Sequence, residues 1–344
     1  MINIGIIGCG KISQVRHIPE YLANQECEIK AYFDLNYERA AELAARYGGK
    51  ACHTLDELLS DKSIDAVSVC VANVAHAKDT IAALEAGKHV LCEKPMATTI
   101  EECERMVDAA RKNGRKLMID QNQRFAAAHA KARELVQGGY IGRVITFRTA
   151  FGHSGPETWS VDPGSSTWFF DKGKAAMGVM ADLGVHKTDL IQYILGQRVV
   201  ATTARLSTLD KRDAFGGLIG VDDNAMCIYE MDGGAVGTMT ASWTYYGQED
   251  NSTIIYGEKG ILRIYDDPGH SLVAVMRSGE VREFDLDRIQ TNDNQTSTGI
   301  IDSFIDCVKN DTRPAIDAED VLNAMKAVFA SIKSSETGAR VVID

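Results

Sequence analysis

The sequence predicts an α/β protein of two units: an N-terminal doubly wound parallel sheet, then an α/β unit built on an open, largely antiparallel sheet. Three observations carry this. Up to residue 122, short and continuously apolar runs alternate with helical patterns, the texture of strands covered on both faces by crossover helices. Beyond it, strand-like runs are joined by short turns carrying Gly and Asp, which pair neighbours antiparallel. And 344 residues exceed what one ordinary core supports. The division falls between units 1–122 and 123–344.

Taken in order, Ile4 to Ile7 reads as a strand and Lys11 to Ala23 as a helix. Ile29 to Phe33 is a second strand, and Asn36 opens a helix through Tyr47. Strand Ala66–Val71, helix Ala75–Ala86 closed by Gly87, strand His89–Cys92, helix Ile100–Lys112 closed by Gly114 and strand Leu117–Ile119 complete the first unit. The second unit opens with a helix from Ala127 to Val136. Strands follow at Val144–Ala150, Val199–Leu206, Ala225–Glu230, Ala235–Trp243 and Thr253–Tyr256, and helices near 299–309 and 318–336 close the chain.

Composition narrows the function. Hydrophobic residues make up 45% and charged residues 25%, as in a globular protein, and the net charge is −11. That charge lacks the basic footprint of a nucleic-acid binder and is repelled by anionic membranes. The apolar start, Met1 to Gly8, has no basic n-region and reads as a strand, and no apolar run reaches membrane-spanning length. The eight cysteines include no Cys-x-x-Cys pair. They read as buried, reduced thiols of a cytoplasmic protein, and no metal site is expected.

Gly8-Cys9-Gly10-Lys11-Ile12-Ser13 follows the first strand and opens the first helix. A first Gly permits the tight turn, a second lets backbone approach a pyrophosphate, and the helix start offers free N–H groups to phosphate. Ser13 stands where a third Gly is usual, small enough for close packing. Asp34 ends the second strand, where a carboxylate holds the adenosine ribose hydroxyls and repels a 2′-phosphate; Leu35, Asn36 and Tyr37 follow, with no adjacent Arg. The expected cofactor is therefore NAD rather than NADP.

Glu93-Lys94-Pro95 ends the strand His89–Cys92, at the sheet edge where ligands bind in open α/β folds. By itself it reads as well as a solvated turn. Asp182 and His186, spaced i and i+4 in a helix ending near Leu195, share one face, with Asp189 three residues on. A carboxylate can orient imidazole, and imidazole can accept a proton from an alcohol. Alone, this pattern also fits a helix-surface pair or a metal site.

Together these motifs resemble the Gfo/Idh/MocA oxidoreductases, the family of glucose-fructose oxidoreductase and inositol dehydrogenase. The likeness extends to Ala86-Gly87-Lys88-His89-Val90-Leu91, to Tyr256-Gly257-Glu258-Lys259-Gly260 and to Arg313-Pro314. It implies a Rossmann domain before an open-sheet α/β domain, with nicotinamide between them. It also implies roles: Lys94 contacts the reacting oxygen, His186 exchanges the hydroxyl proton and Asp182 positions substrate and His186. Asn73, His76 and Glu93 match positions near the cofactor. His76 reads equally as a packed helix residue. Only Gly178 remains of the glycine run that often precedes the Asp motif.

Phe151 to Phe170 is the expected specificity loop, with His153, Trp159, Trp168, Phe169 and Phe170. Aromatic faces stack on the C–H face of a sugar ring or pack a core equally well. Arg124 contacts substrate or joins the units. Lys172 and Lys174 read as a charged surface turn. The resemblance thus implies an NAD-dependent dehydrogenase of a sugar, cyclitol or glycoside, working as a homodimer or homotetramer through its second sheet. A glycosidase acting by transient oxidation and a non-catalytic sugar-sensing protein are the alternatives.

Overall fold

The computed structural model describes residues 1–288, 297 and 299–343. The N-terminal sheet holds β1 (Ile2–Ile7), β2 (Cys27–Phe33), β3 (Lys50–Cys52), β4 (Ala66–Val69), β5 (His89–Cys92) and β6 (Leu117–Ile119). Their order is β3-β2-β1-β4-β5-β6 and every pair is parallel. Ile4, Ile6 and Ile7 of β1 are fully buried, which is why the strand is continuously apolar rather than alternating. Helices α1 (Ile18–Ala23), α2 (Tyr37–Tyr47), α3 (Leu55–Leu59), α4 (His76–Glu85) and α5 (Ile100–Asn113) make the crossovers. The expected single helix from Lys11 carries a π-helical stretch at Ser13–His17 before α1. Chain order reverses between β1 and β4, so a crevice opens at their carboxyl ends.

Among the described residues the second sheet holds nine strands. They are β7 (Val144–Gly152), β8 (Val199–Ser207), β9 (Asn224–Met231), β10 (Val236–Ser242), β11 (Thr253–Gly257), β12 (Gly260–Ile264), β13 (Leu272–Met276), β14 (Val281–Phe284) and β15 (Val341–Val342). All pair antiparallel except β7 with β10, which run parallel with Thr146 opposite Val236. Helices α6 (Ala127–Gln137), α8 (Val185–Leu195) and α10 (Ala318–Thr337) cover one face, and α7 (Lys172–Ala175) is a single turn near the crevice. On the other face Ile145, Met226, Ile228 and Val236 are exposed.

Strands β3, β12, β13, β14 and β15 and helix α3 were not foreseen. They have two to five residues each. Helix α9 (Ile300–Asn310) packs on α1 and β1. Lys309 pairs with Glu26 at 2.6 Å, and Ile119 N–H donates to the Ile316 carbonyl at 3.2 Å. A cut at residue 122 therefore assigns α9 to the second unit although it covers the first sheet. No helix among the described residues is long and apolar enough to cross a membrane.

Candidate active site

Between the sheets lies a cleft of about 890 Å³. At its N-terminal end the backbone comes close. Gly8 has φ +93°, and a Cβ there would stand 2.5 Å from the Cys70 carbonyl oxygen, so only glycine fits. A Cβ on Gly10 would meet nothing within 4 Å. Gly10 borders the cleft with Lys11 and Ile12, where the helix begins with free N–H groups of the kind that receive a phosphate. Ser13 is fully buried and gives its hydroxyl to the Gly10 carbonyl at 2.8 Å, as its small size requires.

Asp34 borders the same end. Its carboxylate accepts the N–H of Cys9 at 2.7 Å and of Asn36 at 2.8 Å. The structure adds a residue that adjacency could not show. Arg39, one turn into α2, lies 3.8 Å from Asp34 and 3.5 Å from Asp162 of the loop after β7. These groups fit a dinucleotide: a close-approach glycine turn, a helix start and a carboxylate at the end of β2.

Lys94 and Asp182 meet at the other end. Lys94 Nζ donates to Asp182 Oδ1 and to its main-chain oxygen, both at 2.9 Å. Eighty-eight residues separate the partners; one comes from the end of β5 and the other from the second unit. The Lys94–Pro95 peptide is cis. Burial opposes ionisation of Asp182, but Lys94 and His153 outweigh it and hold the carboxyl below its ordinary range.

His186 borders the cleft too, and here the expected geometry is corrected. Asp182 lies in a π-helical turn, Met180–Gly184, that precedes α8. Both side chains face the cleft, as the i,i+4 spacing predicts, but they are not paired. No hydrogen bond joins Asp182 to His186: the second carboxylate oxygen, Oδ2, accepts the indole N–H of Trp243 at 3.0 Å. Asp189 is likewise committed elsewhere, to Arg124 Nε at 2.7 Å and Nη2 at 2.5 Å. His186 Nδ1 is buried with no partner among the described residues. Burial, and then the Lys94 charge, hold the imidazole well below its ordinary pKa, with Asp182 opposing. A neutral imidazole is the form that accepts a proton.

Arg124 does not border the cleft. Besides binding Asp189, its guanidinium lies 5.1 Å from the Tyr193 ring centroid, so it ties the linker after β6 to α8. Asn73 donates to the Ala175 carbonyl at 3.0 Å, and His76 sets its ring nitrogens against the Pro95 and Val71 carbonyls at 2.6 and 3.1 Å. Both border the cleft while bracing its walls. Glu93 accepts the Lys94 N–H at 3.1 Å through one oxygen and faces His17 Nε2 at 3.0 Å with the other.

Behind Glu93 is a buried network that the motifs did not flag. Arg16 binds both oxygens of Asp120 at 2.9–3.0 Å. His17 also faces Ser68 at 3.1 Å and Asp120 at 3.3 Å. Burial opposes protonation of His17, but Cys70, Asp120 and Glu93 outweigh it and raise its pKa well above the usual value. His17, Glu93 and Asp120 bring one ligand atom each within 4.8 Å of the others. Arg16 already pairs with one of these carboxylates, and His17 faces both. The network reads as a brace for the Lys94 backbone.

Phe151, Trp159, Trp168 and Phe169 also line the cleft. Trp168 and Phe169 stack with centroids 4.0 Å apart. Phe151 stands between two histidines, with centroids 6.0 Å from His153 and 6.1 Å from His186. Lys174 borders the cleft and Lys172 does not.

Known proteins match along the chain. Residues 2–121 fit the family model described as an oxidoreductase family with an NAD-binding Rossmann fold, and residues 129–263 fit the GFO/IDH/MocA C-terminal domain. The chain belongs to the Gfo/Idh/MocA oxidoreductase family. Levoglucosan dehydrogenase of Pseudarthrobacter phenanthrenivorans is 32% identical over 76% of this chain and 73% of its own. D-glucoside 3-dehydrogenase of Escherichia coli is 29% identical over 99% and 97%. A structure of levoglucosan dehydrogenase with NADH and levoglucosan superposes with a TM-score of 0.85 at 26% identity, over 100% of this chain and 99% of that one. As a Gfo/Idh/MocA protein the chain belongs to the oxidoreductases with an NAD-binding Rossmann fold; the relatives it matches are named as dehydrogenases of levoglucosan, D-glucosides and myo-inositol.

For a Gfo/Idh/MocA chain, the motifs reach the residues at strand ends and miss those that meet them from elsewhere. Trp243, Arg16, His17 and Arg39 belong here. Arg16 and His17 are buried polar residues in a helix that also buries Ser13 and Glu20, so nothing in the local pattern singled them out.

Proposed function

We propose that Lys94, Asp182 and His186 form the reacting end of this dehydrogenase. One observation carries the reading: the Lys94–Asp182 pair spans two units and faces the cleft beside a neutral, buried His186. NAD, when bound, supplies the acceptor for the hydride that leaves the carbinol carbon. Gly8, Gly10, Lys11, Ile12 and Asp34 hold its pyrophosphate and adenosine ribose, and Asn73, His76 and Glu93 shape the nicotinamide side. Lys94 places an ammonium at the substrate oxygen, where negative charge develops. His186 takes the hydroxyl proton in oxidation and returns it in reduction. Asp182 holds Lys94 rather than His186. Trp159 and Trp168 offer faces to the C–H surface of a pyranose or cyclitol, while Arg124 supports α8 from outside the cleft.

The protein is proposed to prefer NAD over NADP, since Asp34 occupies the place of a 2′-phosphate and the Arg39 charge is shared between two carboxylates. It is proposed to be a homodimer or homotetramer. The open face of the second sheet exposes Ile145, Met226, Ile228 and Val236, which a partner sheet would cover. Eight buried, free cysteines support a reducing, cytoplasmic setting. The test is NADH formation from NAD across levoglucosan, myo-inositol, methyl β-D-glucoside and aryl glucosides. Formation with one of them supports the reading. Aglycone release without net NADH replaces it with transient oxidation, and binding without turnover replaces it with a sensor.

A further inference from the structure

We propose that Trp243 is a positioning residue that fixes the Asp182 carboxylate, and through it the Lys94 ammonium, at the reacting end of the cleft. The proposal rests on the roles given above to Lys94 and Asp182. Trp243 follows the last residue of β10 and is fully buried. Its main-chain N–H donates to the Asp223 carbonyl at 2.9 Å. Phe169 meets its ring edge-on with centroids 6.5 Å apart, and Phe170 tilts against it at 5.9 Å. The ring therefore has one orientation, and in it Nε1 donates to Asp182 Oδ2 at 3.0 Å.

An indole N–H donates only, so this bond favours the ionised carboxylate without adding charge. It also sets the carboxylate rotation. With Oδ2 held by Trp243, Oδ1 is turned to Lys94 Nζ. His186 does not hold the carboxylate, so Trp243 is its one partner besides Lys94 among the described residues. The start of the Met180–Gly184 turn is anchored by the loop that leads into β9. Asp222 accepts the N–H of Gly178 at 2.9 Å and of Met180 at 2.8 Å, and a Cβ on Gly178 would lie 1.9 Å from the Asp222 carbonyl oxygen. Main chain is thus fixed from Asp222 and the side chain from Trp243. Phe169 stacks on Trp168 in the aromatic wall, so the wall that receives a sugar ring also packs the residue that aims the ammonium.

Two measurements test this. Indole-¹⁵N labelling of the wild-type protein gives three side-chain N–H resonances, one per Trp. One of them, absent in Trp243→Phe, is expected to shift in Asp182→Asn and to be the slowest to exchange with solvent. A Trp243 resonance unchanged in Asp182→Asn would overturn the proposal, whatever the substrate proves to be. The second is kinetic, on whichever of levoglucosan, myo-inositol and methyl β-D-glucoside the wild type oxidises. Trp243→Phe keeps the ring and deletes the donor. It is expected to lower kcat about tenfold with KM within about twofold and NADH affinity unchanged. Phe304→Leu, which loosens the packing of α9 away from the cleft and keeps the donor, is expected to lower the thermal midpoint while kcat stays near wild type. Equal kcat losses in both variants, or none in Trp243→Phe, would reduce Trp243 to a packing residue. Should no probe be oxidised, the dehydrogenase reading fails and the resonance still decides the position of Trp243.

Discussion

Lys187 follows His186 on α8 and is completely buried. Its Nζ donates to the Asn251 carbonyl at 2.8 Å and reaches Thr253 Oγ1 at 3.5 Å, with the Phe151 ring centroid 5.9 Å away. Burial pulls its pKa from 10.5 down to about 7, against the attraction of Asp250 and Glu249. In the unfolded chain the ordinary value returns. Between about pH 7 and 10.5 the unfolded state therefore binds more protons, and stability rises with pH across that window. Below it the whole penalty is expressed, on the order of 5 kcal/mol. Lys187→Met keeps the length and removes the charge, at a cost of about 1 kcal/mol for the acceptor left at Asn251. Replacing a buried charge by an apolar chain commonly gains about 1–4 kcal/mol, so a net gain of about 2 kcal/mol is expected at pH 6. Urea unfolding of both proteins at pH 6, 7.5 and 9 reads the difference, which should shrink as pH rises. A difference independent of pH, or a less stable Met variant at pH 6, would refute the reasoning.

Lys94→Ala and His186→Ala should each lower turnover about a hundredfold or more and leave NADH affinity near wild type; a double variant should lose less than the product, because both act on one oxygen. Gly10→Val should fill the open space beside the turn and weaken NAD and NADP alike, as titration of protein fluorescence will show. Asp34→Ala should narrow the NAD preference, since Arg39 then faces a 2′-phosphate without its acidic neighbour; an unchanged ratio of dissociation constants would place the ribose elsewhere. Because burial and Lys94 hold His186 well below 6.5, kcat for oxidation should stay level as pH falls through 6.5, and an acid limb centred there would contradict the assignment. Met226→Lys with Ile228→Lys should shift the assembly toward monomer by light scattering if the open sheet face is the interface.

The sequence by itself determined the parallel first sheet, because strands buried on both faces are written as unbroken apolar runs and their crossovers as helical periods. It also marked Gly8, Gly10, Asp34, Lys94, Asp182 and His186, since each sits at a strand end or helix turn where local pattern and chemistry coincide. What it could not determine was how side chains from distant segments are shared out. Spacing of i,i+4 placed Asp182 beside His186, but Lys94 after β5 and Trp243 after β10 took up both oxygens of its carboxylate instead. Arg124 carries a charge suited to a substrate, yet Asp189 claimed it. Arg39 was five residues from Asp34 and so outside the adjacency that cofactor reading uses, until the first turn of α2 brought it back. Burial of Lys187 and the parallel seam of β7 on β10 left no local mark either. Hydrophobic period and turn chemistry are local quantities; the partner of a charge is set by which chain segments the packed sheets bring within about 3 Å, and only the tertiary structure contains that.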